Sequence, residues 1–378
     1  MLFTSNLLVH WRQIRWYVLL LTSFFAALSL SFGPVNAQTD EDTFCIVQSD
    51  PLSNPIQGRS YGDPHINTFD ELHYSFQTVG EFVLTKAQAG SFEVQTRQQP
   101  VASFNNLSLN SAVAMRVCGH RVAVYAQDVP DNSSTVIWLD GIPTPLTNTT
   151  PLPGGGEVQR LSDREYAVLW PSGDQVLVRF IDVGNERFLN IMPTLSRTHS
   201  GTLTGLLGNF NGNSGDDLMS REGSVVPPES SYSIATAALD RALPAVIPVR
   251  EVEDAYFDTL YRQFGDSWRI TQTESLFDYG PGQSTETFTD RSFPREFVTL
   301  NAVAPARIEA ALDTCQNAGV EEALLDGCVF DVAATGEPDF ATAAANAIAR
   351  AAVRELTDRV IDEVTDDIPN IPIPGLPF

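Results

Sequence analysis

The strongest constraint on the fold is an alternation of apolar and polar residues that runs, broken by turn residues, from Phe69 to Met192. Successive side chains of a β-strand point to opposite faces of the sheet, so this pattern predicts antiparallel strands with one face in the core and one in water. Strands this numerous predict a mainly β fold, an antiparallel β-sandwich. Three hairpins are expected, with turns at Gly90, at Gly119-His120 and at Pro171-Ser172-Gly173-Asp174.

Beyond Val226 the apolar residues recur at helical spacing instead. Pro305 is expected to open a helix, because its missing N–H costs nothing in the first turn, and Gly319 is a plausible stop. An alanine-rich helix is predicted from about Asp339 to Val364. The second part of the chain is therefore expected to be a smaller α-helical region.

The amino terminus has the features of a signal peptide. Arg12 and Arg15 flank an apolar run from Trp16 to Phe32, and small residues before Gln38 suggest cleavage after Ala37. The mature chain would then be secreted without a membrane span, although a run of this length is also compatible with a retained anchor. The predicted segments are a signal peptide (1–37), a flexible lead (38–60), a β domain (61–226), a connector (227–250), a helical companion region (251–345), and a C-terminal helix with a proline-rich tail (346–378).

Charge restricts the classes of partner. The chain has 23 basic and 47 acidic residues, which gives a formal net charge of −24. Binding to nucleic acid requires basic patches that neutralise phosphate, so the charge argues strongly against a nucleic-acid partner. An acidic surface instead favours cations.

A loop near the end of the β region has the composition of a calcium site. Side-chain oxygens alternate with glycines that could take positive φ, and Ca2+ binds about 6 to 8 oxygen ligands. The same composition is also typical of a solvated turn, so these residues alone leave both interpretations open. The candidate ligands are Asn209, Asn211, Asn213, Asp216 and Asp217, and the glycines are Gly208, Gly212 and Gly215.

A second motif changes this balance. The segment 61–70 is Tyr-Gly-Asp-Pro-His-Ile-Asn-Thr-Phe-Asp, and the segment 204–212 is Thr-Gly-Leu-Leu-Gly-Asn-Phe-Asn-Gly. Together and in this order they resemble the two ends of the von Willebrand factor type D domain. The resemblance implies that Asp63 meets the loop that begins at Asn209 and joins its oxygens as a ligand of one Ca2+ ion. The segment that begins with Cys328-Val329-Phe330-Asp331 is similar to the stretch after the D domain in mucin-like and adhesive extracellular proteins, which implies a cysteine-clipped helical companion packed on the β domain.

The departures from the family pattern are informative. Thr204 and Leu207 stand where the family has cysteines, and Glu71 stands where it has glycine. Disulfide-linked assembly through these positions requires thiolates and is therefore not expected. The sequence thus predicts a secreted, calcium-binding adhesion or matrix-type module that presents a surface to an unidentified extracellular protein or glycan.

The same resemblance offers a different function. In some members of the family the Asp-Pro bond of this motif cleaves itself in mild acid, which would here involve Asp63, Pro64 and His65. A self-processing extracellular protein is therefore the alternative prediction. It competes with the role of Asp63 as a calcium ligand, for which the carboxyl must stay ionised.

Four cysteines in a secreted chain favour disulfides over a metal site. Cys315 and Cys328 are the expected pair because they are close in sequence and flanked by apolar residues, and Cys45 with Cys118 is the second option. A secreted hydrolase is the third and least supported function, since the sequence has no H-E-x-x-H or G-x-S-x-G motif. The chain is therefore not expected to be an enzyme. Glycan acceptor patterns begin at Asn106, Asn132 and Asn148.

Overall fold

The computed structural model describes residues 55–89, 92–228 and 255–347. Within these ranges the strands form two antiparallel sheets, which confirms the predicted mainly β fold. The predicted signal peptide, Cys45, most of the connector and the tail after Ala347 lie outside the described residues. In the described ranges, no helix has both the length and the apolar character needed to cross a bilayer.

The strands are short at the two ends of the β region and long in the middle. In chain order they are β1 (Ile56–Gln57), β2 (Arg59–Tyr61), β3 (His65–Asn67), β4 (His73–Ser75), β5 (Gly80–Ala87), β6 (Glu93–Pro100), β7 (Ser108–Val117), β8 (His120–Tyr125), β9 (Ile137–Leu139), β10 (Ile142–Pro143), β11 (Thr149–Pro151), β12 (Glu157–Ser162), β13 (Glu165–Leu169), β14 (Gln175–Val183), β15 (Glu186–Leu195) and β16 (Leu203–Thr204).

Each sheet is built mainly from hairpins. The first has the order β11-β12-β13-β14-β15-β2-β3-β4, with β1 also paired to β15, and the second has the order β10-β9-β8-β7-β6-β5-β16. The three predicted hairpins are present as the pairs β5–β6, β7–β8 and β13–β14. The predicted flexible lead over 38–60 is wrong at its end, because Ile56 pairs with Leu195 and Ser60 with Ile191. The strands β1 and β2 are too short to show a clear alternation of apolar and polar residues. They are held in place by pairing with β15.

The main core lies between the two sheets. It is formed by apolar side chains such as Ile66 and Val178 from the first sheet and Val113 and Met115 from the second, all fully buried. This is the inward face that the alternation predicted. Burying each such side chain contributes about 1.5 to 3 kcal/mol to folding before entropy is counted.

The region after the sandwich is helical, as predicted. Pro305 occupies the first turn of its helix, and that helix ends before Gly319. The predicted alanine-rich helix begins at Asp339 but ends at Ala345, earlier than the predicted end near Val364, and the residues after Ala347 lie outside the described part of the chain. The elements are a π-helix (Thr259–Gly265), α1 (Pro305–Asn317), α2 (Glu322–Thr335) and α3 (Asp339–Ala345), with 3-10 turns at Arg197–His199, Ser214–Asp216, Thr285–Phe288 and Leu300–Ala302.

The expectation that each sheet has one face in water is wrong for much of both outer faces. The helices cover the outer face of the first sheet, where Phe188 and Met192 share a buried cluster with Cys328 and Phe340. On the second sheet, the guanidinium of Arg97 is fully buried, 3.5 Å from the centre of the Phe288 ring. On these outer faces the strands therefore pack against the second region of the chain and not against water.

The helical region is clipped by the expected disulfide. Cys315 of α1 and Cys328 of α2 are bonded, with their Cα atoms 6.1 Å apart. Cys118 is also in a disulfide, while Cys45 lies outside the described residues, so the second predicted pair stays a prediction. The α1–α2 bridge closes a short loop and should contribute about 3 kcal/mol in the chain-entropy model.

Candidate functional site

The predicted calcium loop follows Gly208 and folds on its own asparagine side chains. The Oδ1 atoms of Asn209, Asn211 and Asn213 each accept a hydrogen bond from the backbone N–H two residues later, at 3.0, 2.7 and 3.2 Å. These are successive Asx turns, which short amide side chains favour. Because a carbonyl oxygen has two lone pairs, each of these oxygens retains the capacity to bind a cation.

Asp70 and Thr68 join this loop to the first motif. The Asp70 carboxylate accepts hydrogen bonds from the backbone N–H groups of Asn211 (2.9 Å) and Gly212 (3.0 Å). The Thr68 hydroxyl donates to Asp217 Oδ2 at 2.6 Å. The resemblance to the D domain therefore placed the two motifs together correctly, but the contact is made by the Thr-Phe-Asp segment.

The carboxylates of Asp70 and Asp216 act electrostatically against the ionisation of Asp217 at this junction. The pKa of Asp217 is raised to about 7, mainly by burial and also by the charges of Asp70 and Asp216, while hydrogen bonds from Thr68 and the backbone N–H of Asn209 act to lower it. Partial burial also acts to raise the pKa of Asp216, but hydrogen bonds from the amides of Asn209 and Asn211 lower it overall. A divalent cation is the kind of ligand that would relieve this repulsion.

The donor set fits calcium better than it fits zinc. Within the described ranges, no three Asp, Glu, His or Cys side chains are grouped so as to hold a metal by themselves. Amide oxygens would therefore have to complete a site built on carboxylates, which suits a hard cation with many oxygen ligands.

Asp63 does not join this loop. Its backbone and side chain are hydrogen-bonded to Asp331 of α2, and the side chain is 2% exposed. The expected pairing of Asp63 with the Asn209 loop is thus replaced by the pairing of Asp70 with it. The physical reason is β3, which separates the two aspartates by three extended residues, or about 10 Å of strand.

Asp63 instead belongs to a second, buried polar cluster. His65 Nε2 is hydrogen-bonded to Asp331 Oδ1 at 2.7 Å, and its Nδ1 faces the Ser75 hydroxyl at 3.1 Å. Burial raises the pKa of Asp63 and the charge of Asp331 raises it further, while burial also raises the pKa of Asp331. Burial lowers the pKa of His65. Two adjacent carboxyls that resist ionisation favour retention of a proton between them.

The backbone around the Asp63–Pro64 bond is also fixed. The Gln77 side-chain amide donates to the carbonyl oxygen of Asp63 at 2.7 Å. The backbone N–H of Phe76 donates to the carbonyl oxygen of Pro64 at 3.0 Å. The Gln77 side-chain oxygen in turn accepts from the backbone N–H of Ser108 at 3.0 Å. One carboxyl oxygen of Asp63, Oδ1, is buried without a hydrogen-bond partner in the described part of the chain.

Several of these residues were not identified from the sequence. Asp70 and Thr68 belong to the first motif, and their side-chain oxygens could have identified them as candidates for contact with the loop. Asp331 also stands in a quoted segment, but nothing in that segment indicates a contact with Asp63. Gln77 has no signal in the sequence. It follows β4 in the chain, and only the pairing of β4 with β3 brings it close to Asp63.

Two glycines of the loop provide a matched test of its geometry. Gly208 and Gly212 both have positive φ, but a Cβ at Gly208 would lie 2.1 Å from Asp217 Oδ1, whereas one at Gly212 would have no atom within 4 Å. We expect Gly212→Ala to lower the free energy of unfolding by about 1 kcal/mol and Gly208→Ala by about 3 kcal/mol. Urea denaturation without calcium measures both, and equal losses would contradict the contact with Asp217.

The glycan acceptor residues differ in exposure. Asn132 and Asn148 are exposed, whereas Asn106 is half-buried and Ser108 of its pattern is fully buried. The prediction of exposed loops therefore holds for the second and third patterns and only in part for the first.

Comparison with known proteins agrees with the motifs. Residues 58–224 match the von Willebrand factor type D domain. SCO-spondin from Rattus norvegicus is 27% identical over 206 residues, which cover 51% of this chain and 4% of that protein. Mucin-4 from Mus musculus is 26% identical over 210 residues, covering 51% of this chain and 6% of mucin-4.

A longer similarity extends past the β domain. Sushi domain-containing protein 2 from Homo sapiens is 24% identical over 314 residues, which cover 76% of this chain and 32% of that protein. The chain thus spans about a third or less of the length of each of these relatives.

Proposed function

Because residues 58–224 match the von Willebrand factor type D domain, we propose that the chain is a calcium-binding adhesion or matrix-type module that acts outside the cell. The similarity to mucin-4 supports this place of action. The partner is an extracellular protein or glycan surface, and the module works by presenting its own surface. It performs no enzymatic turnover.

The observation that supports calcium most directly is the contact of Asp70 with the loop. Asp70 brings a third carboxylate to Asp216 and Asp217 from a segment far away in sequence. When bound, Ca2+ would neutralise these carboxylates. Its ligands would come from Asp70, Asp216 and Asp217 together with the amide oxygens of Asn209, Asn211 and Asn213, and Asp63 is not among them.

We further propose that the module does not form disulfide-linked multimers through its D-domain motif. Leu207, at one of the two family cysteine positions, is a fully buried core residue. The cysteines in the described ranges, Cys118, Cys315 and Cys328, are all disulfide-bonded. With no thiol at the motif, calcium is left to stabilise the junction of its two ends.

A surface binding assay tests this function. The chain is immobilised, purified mucin-type glycoprotein or proteoglycan is passed over it, and calcium is then replaced by a chelator. We expect binding that is lost on chelation and weakened at least about tenfold by Asp216→Asn, because removal of one charged ligand weakens the calcium site. Binding that is unchanged by chelator, or no binding to either class of glycan carrier, would contradict the proposal.

Self-processing at Asp63–Pro64 is the second candidate, favoured by the hydrogen bond from Gln77 to the carbonyl at that bond. A carboxyl oxygen of Asp63 would attack the main-chain carbonyl carbon of the same residue. The carbon–nitrogen bond to Pro64 would break, and the nitrogen would leave as a protonated amine. Water would then open the cyclic anhydride into two carboxyl groups.

A hydrolase acting on external substrate is not proposed. Ser75, His65 and Asp331 form a hydrogen-bonded series that resembles a nucleophile with its base. However, a Cβ at Gly327 would lie 2.8 Å from the His65 ring, so α2 packs directly on the histidine. A substrate-sized molecule would have to displace this helix.

A further inference from the structure

We propose that Gln77 and Asp331 are the positioning residues for cleavage of the Asp63–Pro64 bond, so that the helical region controls a reaction within the D domain. This inference rests on self-processing, the second candidate function. It assigns roles to two residues outside the Gly-Asp-Pro-His motif, one from the strand region and one from α2.

Gln77 occupies the position of an oxyanion donor. Its amide nitrogen is 2.7 Å from the Asp63 carbonyl oxygen, which would acquire negative charge when the carboxyl attacks. Fixed donors at about 2.7 to 3.1 Å from such an oxygen stabilise the transition state because they need no reorganisation. The hydrogen bond from the backbone N–H of Ser108 orients the Gln77 amide, so its nitrogen is directed at Asp63.

Asp331 holds the attacking group. Its carboxyl is hydrogen-bonded to both the side chain and the backbone N–H of Asp63 and is 1% exposed. A carboxyl pair that shares one proton supplies a nucleophilic carboxylate and an adjacent acid at the same time. Burial, which raises the pKa of both groups, helps to keep that proton in place.

The surroundings of this pair come from three elements. His65 of β3 is hydrogen-bonded to Asp331, and the Tyr61 hydroxyl of β2 experiences the charges of Asp331 and Asp326 of α2 and of Arg59 of β2. Only α2 lies outside the D domain. The reacting carboxyl is therefore completed by the companion region, and loss of α2 packing would remove its partner.

Incubation of the purified full chain in mildly acidic buffer tests the inference. Fragments are separated on a reducing, denaturing gel, and mass spectrometry identifies the new amino terminus at Pro64. We expect the parent chain to cleave there, and Gln77→Glu and Asp331→Asn each to slow cleavage by about a hundredfold, the effect of losing an oxyanion donor or a general acid. Glu322→Gln, an exposed change on the same helix, should cleave at the parental rate.

A pH series separates positioning from a merely structural effect. The Gln77→Glu variant keeps an acceptor for Ser108 but lacks a donor when ionised, so its rate should recover as the pH falls and the new carboxyl is protonated. Melting curves check that each variant is folded. If the parent chain stays intact at every pH, self-processing and this inference both fail. If the parent cleaves and the two folded variants cleave at the same rate, the inference alone is overturned.

Discussion

Adding a chelator to the calcium-loaded chain at slightly alkaline pH should lower its Tm by about 5 to 10 °C. A ligand at about 100 times its Kd stabilises the folded state by about 2.7 kcal/mol, and each kcal/mol shifts the Tm of a domain of this size by about 2 to 4 °C. The physical cause is the repulsion among Asp70, Asp216 and Asp217, which returns when the ion is removed. Differential scanning fluorimetry measures the shift.

The shift should become smaller as the pH falls below about 7, because Asp217 has a pKa of about 7 in the calcium-free chain. Its pKa is raised above the ordinary value of 3.8, so without calcium it contributes stability at low pH that is lost as the pH rises towards 7. Calcium binding needs the ionised form and so opposes this loss.

Matched variants identify the carboxylates responsible. Asp70→Asn and Asp216→Asn should each abolish most of the response to chelator. Asp313→Asn on α1 makes the same change of charge at an exposed position and should leave it intact. A Tm that ignores calcium and chelator in the parent chain would contradict the calcium assignment.

Replacing Arg97 by methionine should lower the free energy of unfolding by about 3 to 5 kcal/mol, as is typical when one partner of a buried ion pair is removed. Its guanidinium lies 2.7 Å from Glu81, and neither side chain is exposed. It also lies over the rings of Phe288 and Phe277, at 3.5 and 4.7 Å from their centres. The substitution would leave the buried Glu81 carboxyl without its cationic partner and with the Tyr279 hydroxyl as its remaining side-chain partner in the described part of the chain.

Urea denaturation followed by tryptophan fluorescence measures this loss. The double variant Arg97→Met with Glu81→Gln should recover part of it, because no buried charge is left alone. Arg164→Met provides the matched control, since Arg164 pairs with Asp182 at the surface, and an exposed pair contributes about 1 kcal/mol or less. Equal losses for Arg97→Met and Arg164→Met would show that Arg97 does not anchor the second region on the sheet.

The sandwich was predictable because its strands obey a local rule. Alternate apolar positions of β13 and β14 face the core between the sheets, and the turn between the two strands consists of residues that favour turns. These core positions are Tyr166, Val168, Val176, Val178 and Phe180. The α1–α2 disulfide was predictable for a similar reason, since Cys315 and Cys328 are close in sequence. In both cases the information lies within a short stretch of chain.

What the sequence did not predict depends on contacts between distant segments. Asp63 and Asp70 are both acidic residues of one motif, and only the path of β3 decides that Asp70 meets the loop while Asp63 meets α2. The segment around Phe277 and Phe288 has no periodicity, yet it covers Arg97 on the outer face of the second sheet. Alternation identifies two faces of a strand but not what packs on the outer one.

Isothermal titration of Ca2+ into the parent chain, Asp70→Asn and Asp63→Asn tests the calcium site most directly. Because Asp70 and not Asp63 contacts the loop, we expect saturable binding in the parent, binding weakened at least about tenfold in Asp70→Asn, and parental affinity in Asp63→Asn. Two results would contradict the account. One is that the parent chain does not bind Ca2+, and the other is that Asp63→Asn loses binding while Asp70→Asn keeps the parental affinity.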